Sequence, residues 1–335
     1  MALSLKGKTI LVTGGTGSFG SACVRRLLAG HDPAKVIVFS RDEWKQSELD
    51  ARLGHDERLR CFLGDVRDRD RLQRAFAGVD VVVHAAALKQ VPTLEYNPFE
   101  AVKTNIYGAQ NVFDAAIDNG VERVVALSTD KASSPINLYG ATKLVSDKLF
   151  VDANAYSARG ETSFAVVRYG NVVNSRGSVI PLFRRLAADG VLPLTDERMT
   201  RFLITVEESV DFVLGRLLDM CGGELFVPKL PSVRIRDLAA AIAPEAEIRV
   251  VGIRPGEKLH EELVSTDDAR RTRDARDFYV LEPESEWWHG HSWETEPLVP
   301  PDFRYTSDTN DRWLEGGELS EFVRRAEAEP LADHR

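Results

Sequence analysis

The chain has 335 residues, of which 43% are hydrophobic and 28% charged, an ordinary globular composition that suits one large domain with a smaller appended lobe. Its formal net charge of −9 argues against a nucleic-acid binder, whose phosphate affinity needs a basic surface, but not against a small anionic substrate held by a few local arginines. No apolar run approaches the roughly 18 residues of a membrane span, and the first apolar stretch leads into a glycine motif instead of a cleavage site.

That first stretch, 9–13, is β-branched and predicts a strand. A helix is predicted over 18–29, a second strand over 35–40, and a second helix over 42–53 with Asp42 as its cap. Strand-like runs at 59–63, 79–84, 121–128 and 164–169 then alternate with helical stretches at 68–76, 98–119 and 138–155. This rhythm predicts an α/β fold, a Rossmann-type doubly wound parallel sheet covered on both faces. The continuous apolar runs Val81-Val82-Val83 and Val124-Val125-Ala126-Leu127 fit strands buried on both sides. After about residue 170 the rhythm breaks into short elements, arginines and prolines. A nucleotide-binding domain over 1–170 and a substrate lobe with a C-terminal wrap over 171–335 are therefore expected. Residues 203–228, with a helix at 206–220, are expected to return to the main domain, and a last helix is expected at 317–328. Cys23, Cys61 and Cys221 are scattered and lack metal spacing, the pattern of reduced thiols in a cytoplasmic protein without a metal site.

Gly14, Gly17 and Gly20 lie between the first strand and the first helix, with Thr16, Ser18 and Phe19 among them. Glycines here let the backbone turn tightly and approach a pyrophosphate at the helix N-terminus, which points to a dinucleotide. The second strand ends at Ser40 and Arg41, with Lys45 one turn on. These groups suit a 2′-phosphate and favour NADP over NAD, while Asp42 serves as the helix cap. Asp65 and Val66 follow the third strand, and the resemblance of these motifs to the extended short-chain dehydrogenase/reductase superfamily implies a contact with the adenine edge there. Ala85, Ala86 and Ala87 follow the fourth, where small residues let the chain pass close to the cofactor.

Tyr139 and Lys143 stand four apart on a predicted helix and share a face. A nearby ammonium is expected to lower the phenol pKa, so that Tyr139 can act as a base toward a sugar hydroxyl, with Thr129 bonded to the same oxygen. Asp130 and Lys131 at the end of the preceding strand add a second acid/base pair that a plain dehydrogenase does not need. A C4 ketone acidifies the C5 proton, so Lys131 is assigned as the base that removes it and Asp130 as the acid for the departing C6 hydroxyl. The base role requires a depressed lysine pKa, which the oxidised nicotinamide and Lys143 are expected to provide. His84 and His260 read as structural.

These motifs, with Asn105-Ile-Tyr-Gly-Ala-Gln110, Arg168-Tyr-Gly-Asn-Val172, Ser175-Arg-Gly-Ser178 and Arg254-Pro-Gly-Glu-Lys258, resemble the inverting UDP-N-acetylglucosamine 4,6-dehydratases over roughly residues 5–315. Tyr139 resembles the pseudaminic acid type, whereas retaining, membrane-anchored relatives usually carry Met there. The resemblance implies NADP as cofactor, with Lys89 and Asn105 in its site. It also implies UDP-N-acetylglucosamine as substrate, inversion at C5, and a homo-oligomer formed through the helices at 98–119 and 138–155. The implied substrate contacts are Lys89, Tyr169, Asn171, Ser178, Val179 and Thr195, with Arg176, Arg201, Arg254 and Lys258 on phosphates and Glu257 on the uridine ribose. One departure is Asn174, where the family usually has a small residue; Asn tolerates a left-handed backbone, so the turn is expected to survive. Two rival readings are a UDP-hexose 4-epimerase, which Asp130–Lys131 argues against, and a non-catalytic NADP-sensing protein, which the intact Tyr139/Lys143 pair argues against.

Overall fold

A computed structural model describes residues 4–157, 161–175, 177–284 and 293–329. In chain order the first half contains β1 (Thr9–Thr13), α1 (Ser18–Gly30), β2 (Lys35–Ser40), α2 (Glu43–Arg52), β3 (Leu59–Leu63), α3 (Arg69–Phe76), β4 (Val81–His84), α4 (Val91–Tyr96), α5 (Pro98–Ala101), α6 (Gly108–Asp118), β5 (Arg123–Thr129), α7 (Leu138–Tyr156) and β6 (Ser163–Tyr169). The remainder contains β7 (Asn171–Val172), α8 (Val179–Ala187), β8 (Val191–Leu194), β9 (Thr200–Ile204), α9 (Val206–Asp219), β10 (Leu225–Pro228), β11 (Ser232–Arg234), α10 (Ile235–Ile242), β12 (Glu247–Val250), β13 (Glu262–Val264), β14 (Thr272–Asp274), β15 (Phe278–Leu281), β16 (Tyr305–Thr306) and α11 (Gly316–Ala328).

The main sheet has nine strands in the order β14-β15-β10-β6-β5-β4-β1-β2-β3. From β3 to β10 all neighbours are parallel, and β15 and β14 close the far edge antiparallel. The parallel strands bury their apolar runs on both faces: all four residues of β4 are buried, and Val124, Val125 and Ala126 of β5 lie in the same core. Helix α9 packs on α1 on one face while α3, α6 and α7 cover the other. Because β1, β2, β4, β5 and β6 run in one direction, their last residues, Thr13, Ser40, His84, Thr129 and Tyr169, end on one edge of the sheet, where a doubly wound fold binds its ligands.

Asp42 and Asp68 each accept the amide two or three residues inside the helix they begin, Lys45 N and Arg71 N. Helix α9 starts with a full capping box, Thr205 with Glu208. The single helix expected over 98–119 is instead α5 and α6 joined by a π-helical turn at Val102–Tyr107. The wider turn carries Asn105, whose side chain is buried against α7. The main sheet also takes more of the C-terminal half than expected. Besides β10, it recruits β14 and β15, because Tyr279, Val280 and Leu281 are apolar residues that bury against its core.

The lobe has its own core, built from residues such as Ile180, Phe183, Leu203, Leu238, Phe322 and Val323. Asn174 adopts a left-handed backbone, φ 55°, and its amide donates to the carbonyl of Ala326 at 2.8 Å. The unusual residue thus both makes the turn and ties α11 to it.

Candidate active site

One cleft of about 1080 Å³ opens at the carboxyl edge of the sheet. Gly14, Thr16, Gly17, Ser18, Phe19 and Gly20 line one end. A Cβ on Gly20 would lie 2.4 Å from the carbonyl oxygen of Gly14, so only glycine lets α1 start this close to the strand. Gly17 caps α1 with no side chain of its own, so the N-terminus of α1 faces the cleft directly. These residues fit a dinucleotide pyrophosphate.

Ser40, Arg41, Lys45, Asp65 and Val66 line the adjoining wall. The Arg41 guanidinium is 56% exposed and 3.7 Å from the Asp65 carboxylate, so it can turn to an incoming anion at little cost. Ser40 Oγ accepts from Gln46 Nε2 at 3.0 Å, and Lys45 Nζ sits 3.0 Å from its cap partner Asp42. Thr13 Oγ1 receives the amides of Ala85 and Ala86 and bonds His84 Nδ1 at 2.8 Å. That arrangement fixes the chain at Ala85, Ala86 and Ala87 along the cleft floor, and burial pushes the His84 pKa down to about 3.

Asn105, expected in the cofactor site, is not among the lining residues. Its amide donates to the Leu88 carbonyl and to Thr142 Oγ1, and its oxygen accepts from Leu88 N. It anchors the loop before Lys89, which does line the cleft, onto α7.

Thr129, Asp130, Lys131, Tyr139 and Lys143 all line the cleft together. Asp130–Ala132 form a short 3-10 turn directly after β5, begun by Thr129. Asn137 caps α7 by accepting from Gly140 N, and Tyr139 and Lys143 follow on one face. Gly140 is itself required here, because a Cβ would stand 2.1 Å from the Lys131 carbonyl oxygen. Lys131 Nζ is 3.0 Å from Asp130 Oδ1, which also accepts from Thr129 Oγ1 at 2.9 Å.

The same ammonium lies 3.3 Å from Glu261 Oε1, a buried carboxylate from the loop before β13. Burial pulls the Lys131 pKa down, but the two carboxylates outweigh it and hold the ammonium above its ordinary range. The depressed lysine expected from the sequence is thereby corrected: Lys131 rests charged. Burial also holds the Asp130 carboxyl above its usual range, with Glu261 adding to the effect and Lys131 opposing it. Burial pushes the Tyr139 phenol up to about 12, and the cation that opposes this is Lys131, not the expected Lys143. Burial lowers the Lys143 pKa, partly offset by Asp147.

Tyr169, Asn171 and Ser178 line the far end. Asn171 Oδ1 and Ser178 Oγ are buried without a hydrogen-bond partner, an arrangement that calls for a polar ligand. Val179 begins the helix that follows Ser178.

The sequence profile of the family described as polysaccharide biosynthesis protein matches residues 10–283. The UDP-N-acetylglucosamine 4,6-dehydratase (inverting) of Campylobacter jejuni is 50% identical over 96% of this chain and 98% of its own. The chain belongs to the inverting UDP-N-acetylglucosamine 4,6-dehydratase family. A protein named UDP-glucose 4-epimerase from Rickettsia massiliae is 45% identical over 82% of each chain. The X-ray structure of Pen from Bacillus thuringiensis matches this dehydratase-family fold with a TM-score of 0.89 at 35% identity, over 97% of this chain and 99% of that one. A dTDP-glucose 4,6-dehydratase from Streptomyces venezuelae, solved with NAD bound, matches with a TM-score of 0.68 at 29% identity, over 75% of this chain and 86% of that one. A nicotinamide dinucleotide is therefore the cofactor class of this dehydratase-family fold.

Several residues expected on the substrate stand elsewhere in this family member. Arg201 is buried, donates to the carbonyls of Thr200, Lys258 and Leu259, and lies 3.6 Å from Glu261. Lys258 Nζ donates to the Ser133 carbonyl at 2.6 Å. Where phosphate contacts were expected, Lys258 braces the catalytic loop and Arg201 braces the 258–261 segment. Arg254 and Glu257 pair with each other at 3.7 Å outside the cleft lining, and Thr195 lies outside it too. Arg176 falls outside the described residues. Glu261 was missed altogether, because a lone Glu-Glu step in a loop carries no signal until the fold brings it to Lys131.

Proposed function

We propose that the chain is a UDP-N-acetylglucosamine 4,6-dehydratase that inverts C5 and uses NADP. The observation that carries this reading is the Asp130–Lys131 pair, 3.0 Å apart beside Tyr139 in the cleft, because neither a dehydrogenase nor an epimerase needs a second acid/base pair there. The bound dinucleotide supplies a hydride acceptor for C4 and a donor for C6. Tyr139 takes the O4 proton as its phenolate, the form that Lys131 and Thr129 favour against burial, with Thr129 bonded to the same oxygen. Transfer of one proton from the Lys131 ammonium to the Asp130 carboxylate creates the neutral amine and the carboxylic acid together. The amine then removes the C5 proton, the acid protonates the C6 hydroxyl, and water leaves. The elimination returns the pair to ammonium and carboxylate; as C6 gains hydride, C5 takes a proton on its opposite face, and loss of the O4 proton from Tyr139 closes the balance.

Asn171 and Ser178, with their unpartnered oxygens, and Lys89 are the groups we assign to the substrate. The Tyr139 signature favours the pseudaminic acid type. An exposed apolar face formed by Tyr96, Phe99 and Tyr107 with Val145 and Tyr156 of α7 suits a second copy of the chain. No helix among the described residues is long and apolar enough to cross a membrane. The unpaired Cys23, Cys61 and Cys221 are consistent with a cytoplasmic enzyme.

Incubation with UDP-N-acetylglucosamine in deuterated water tests the reading. Proton NMR is expected to reveal a new C6 methyl group, deuterium at C5 and the inverted configuration. The named epimerase relative favours the second reading, 4-epimerisation, and a product that keeps its C6 hydroxymethyl and changes only at C4 would establish that instead. For the cofactor, Arg41→Ala is expected to weaken NADP binding by about tenfold, the loss of one charge-assisted bond, and to leave NAD binding unchanged. Fluorescence titration of both dinucleotides measures this.

A further inference from the structure

Glu261 belongs to no motif, yet it is 2% exposed and supplies the second carboxylate on Lys131. Its backbone is clamped: Glu261 N donates to Ser307 Oγ at 2.9 Å, and its carbonyl accepts from Ser307 N at 2.8 Å. Its neighbours grip the same catalytic loop. Glu262 accepts from the hydroxyls of Ser133 and Ser134, and Lys258 donates to the Ser133 carbonyl. Ser134 has a left-handed φ of 41°, a costly conformation that this grip sustains.

A support role alone does not require a buried charge at Glu261. Asp130 already pairs with Lys131, and taking a further carboxylate out of water is expensive. Its Oε2 has no hydrogen-bond partner. The charged groups around it are Asp130 and Lys131 from the catalytic loop, Arg201 from β9, and Lys258 and Glu262 from its own segment, with the Tyr139 phenol beyond Lys131.

We infer that Glu261 is a positioning residue for the dehydration: from the segment before β13 it holds the Lys131 amine opposite Asp130 and raises the proton affinity of both members of the pair. The inference rests on the reading of Asp130 and Lys131 as acid and base. As Lys131 gains the C5 proton, its ammonium forms beside a fixed negative charge. The same charge favours the protonated form of Asp130 that the leaving hydroxyl needs.

Glu261→Gln removes one negative charge beside two titrating groups, and both must then lose protons more readily. Both limbs of the kcat–pH profile are expected to move down by about one unit, the effect of a charge within about 4–6 Å. KM is expected to stay unchanged, because Glu261 does not line the cleft. Glu261→Asp keeps the charge and is expected to leave the limbs near their wild-type positions. Arg201→Gln removes the opposing cation and is expected to move them up, which gives an independent measurement should Glu261→Gln fail to fold. Limbs that stay fixed in Glu261→Gln while kcat falls, or that stay fixed in Arg201→Gln, would overturn the proposal and leave Glu261 as support only. A wild-type enzyme that forms no C6 methyl product would instead overturn the dehydration reading beneath it.

Discussion

Replacing Lys131 with alanine is expected to lower kcat for dehydration by about 10²–10⁴-fold, the range of a positioned general base, with little change in KM. The effect is large because no neighbour can take over. Asp130 is held toward its protonated form by burial and by Glu261, and Tyr139 is engaged with O4. Asp130 also loses its partner: its Oδ1 now bonds Thr129 and Lys131, and after the substitution only Thr129 remains. The base is therefore removed outright, while Asp130, relieved of the cation that opposed its protonation, remains an acid with no base to work beside it. Stopped assays of the 4-keto product by its ultraviolet absorbance measure kcat, and dinucleotide titration checks that the cleft is intact. Lys131→Met serves as a second variant, since it keeps most of the stem and removes only the amine. Wild-type turnover in either variant would sink the mechanism.

The parallel sheet and most of this constellation were legible because their signals are local. A glycine trio between strand and helix, Ser40-Arg41 at a strand end, and Tyr139 four residues before Lys143 carry their geometry within one turn or loop. Asp42 could be read as a cap for the same reason. What escaped depends on contacts between distant segments. Arg201 and Lys258 were expected on phosphates because an anionic nucleotide sugar needs cations, yet both turn inward to carbonyls and, for Arg201, to Glu261. The Lys131 pKa was misjudged in sign because the sequence revealed its neighbour Asp130 but not the carboxylate of Glu261, delivered by a segment 130 residues on. Asn105 was assigned to the right region, but the π-helical turn rotates it away from the cleft into the joint between Leu88 and Thr142.

The same kind of long-range contact makes Asp147 a residue of large consequence for stability. Asp147 Oδ2 accepts from Ser128 Oγ at 2.7 Å and from Arg168 Nη2 at 3.1 Å, and both ionic side chains are 3% exposed. Arg168 reaches on to the Leu263 carbonyl, in the segment that carries Glu261. Asp147→Ala strands a guanidinium in the core and is expected to cost about 3–5 kcal/mol, measured as a fall in the urea midpoint at unchanged slope. It also strips Lys143 of the carboxylate that partly offsets burial, so the Lys143 pKa should fall further. The alkaline edge of any activity that needs its ammonium would then move to lower pH. The penalty arises from the unpaired charge and not from the lost packing, which makes a sharper test possible. Adding Arg168→Met to Asp147→Ala should restore much of the loss, because replacing both members of a buried pair with apolar groups is close to neutral. A double variant as unstable as the sum of the two single ones would mean that the pair contributes shape and hydrogen bonds to Ser128 and Leu263, with no stranded charge to relieve.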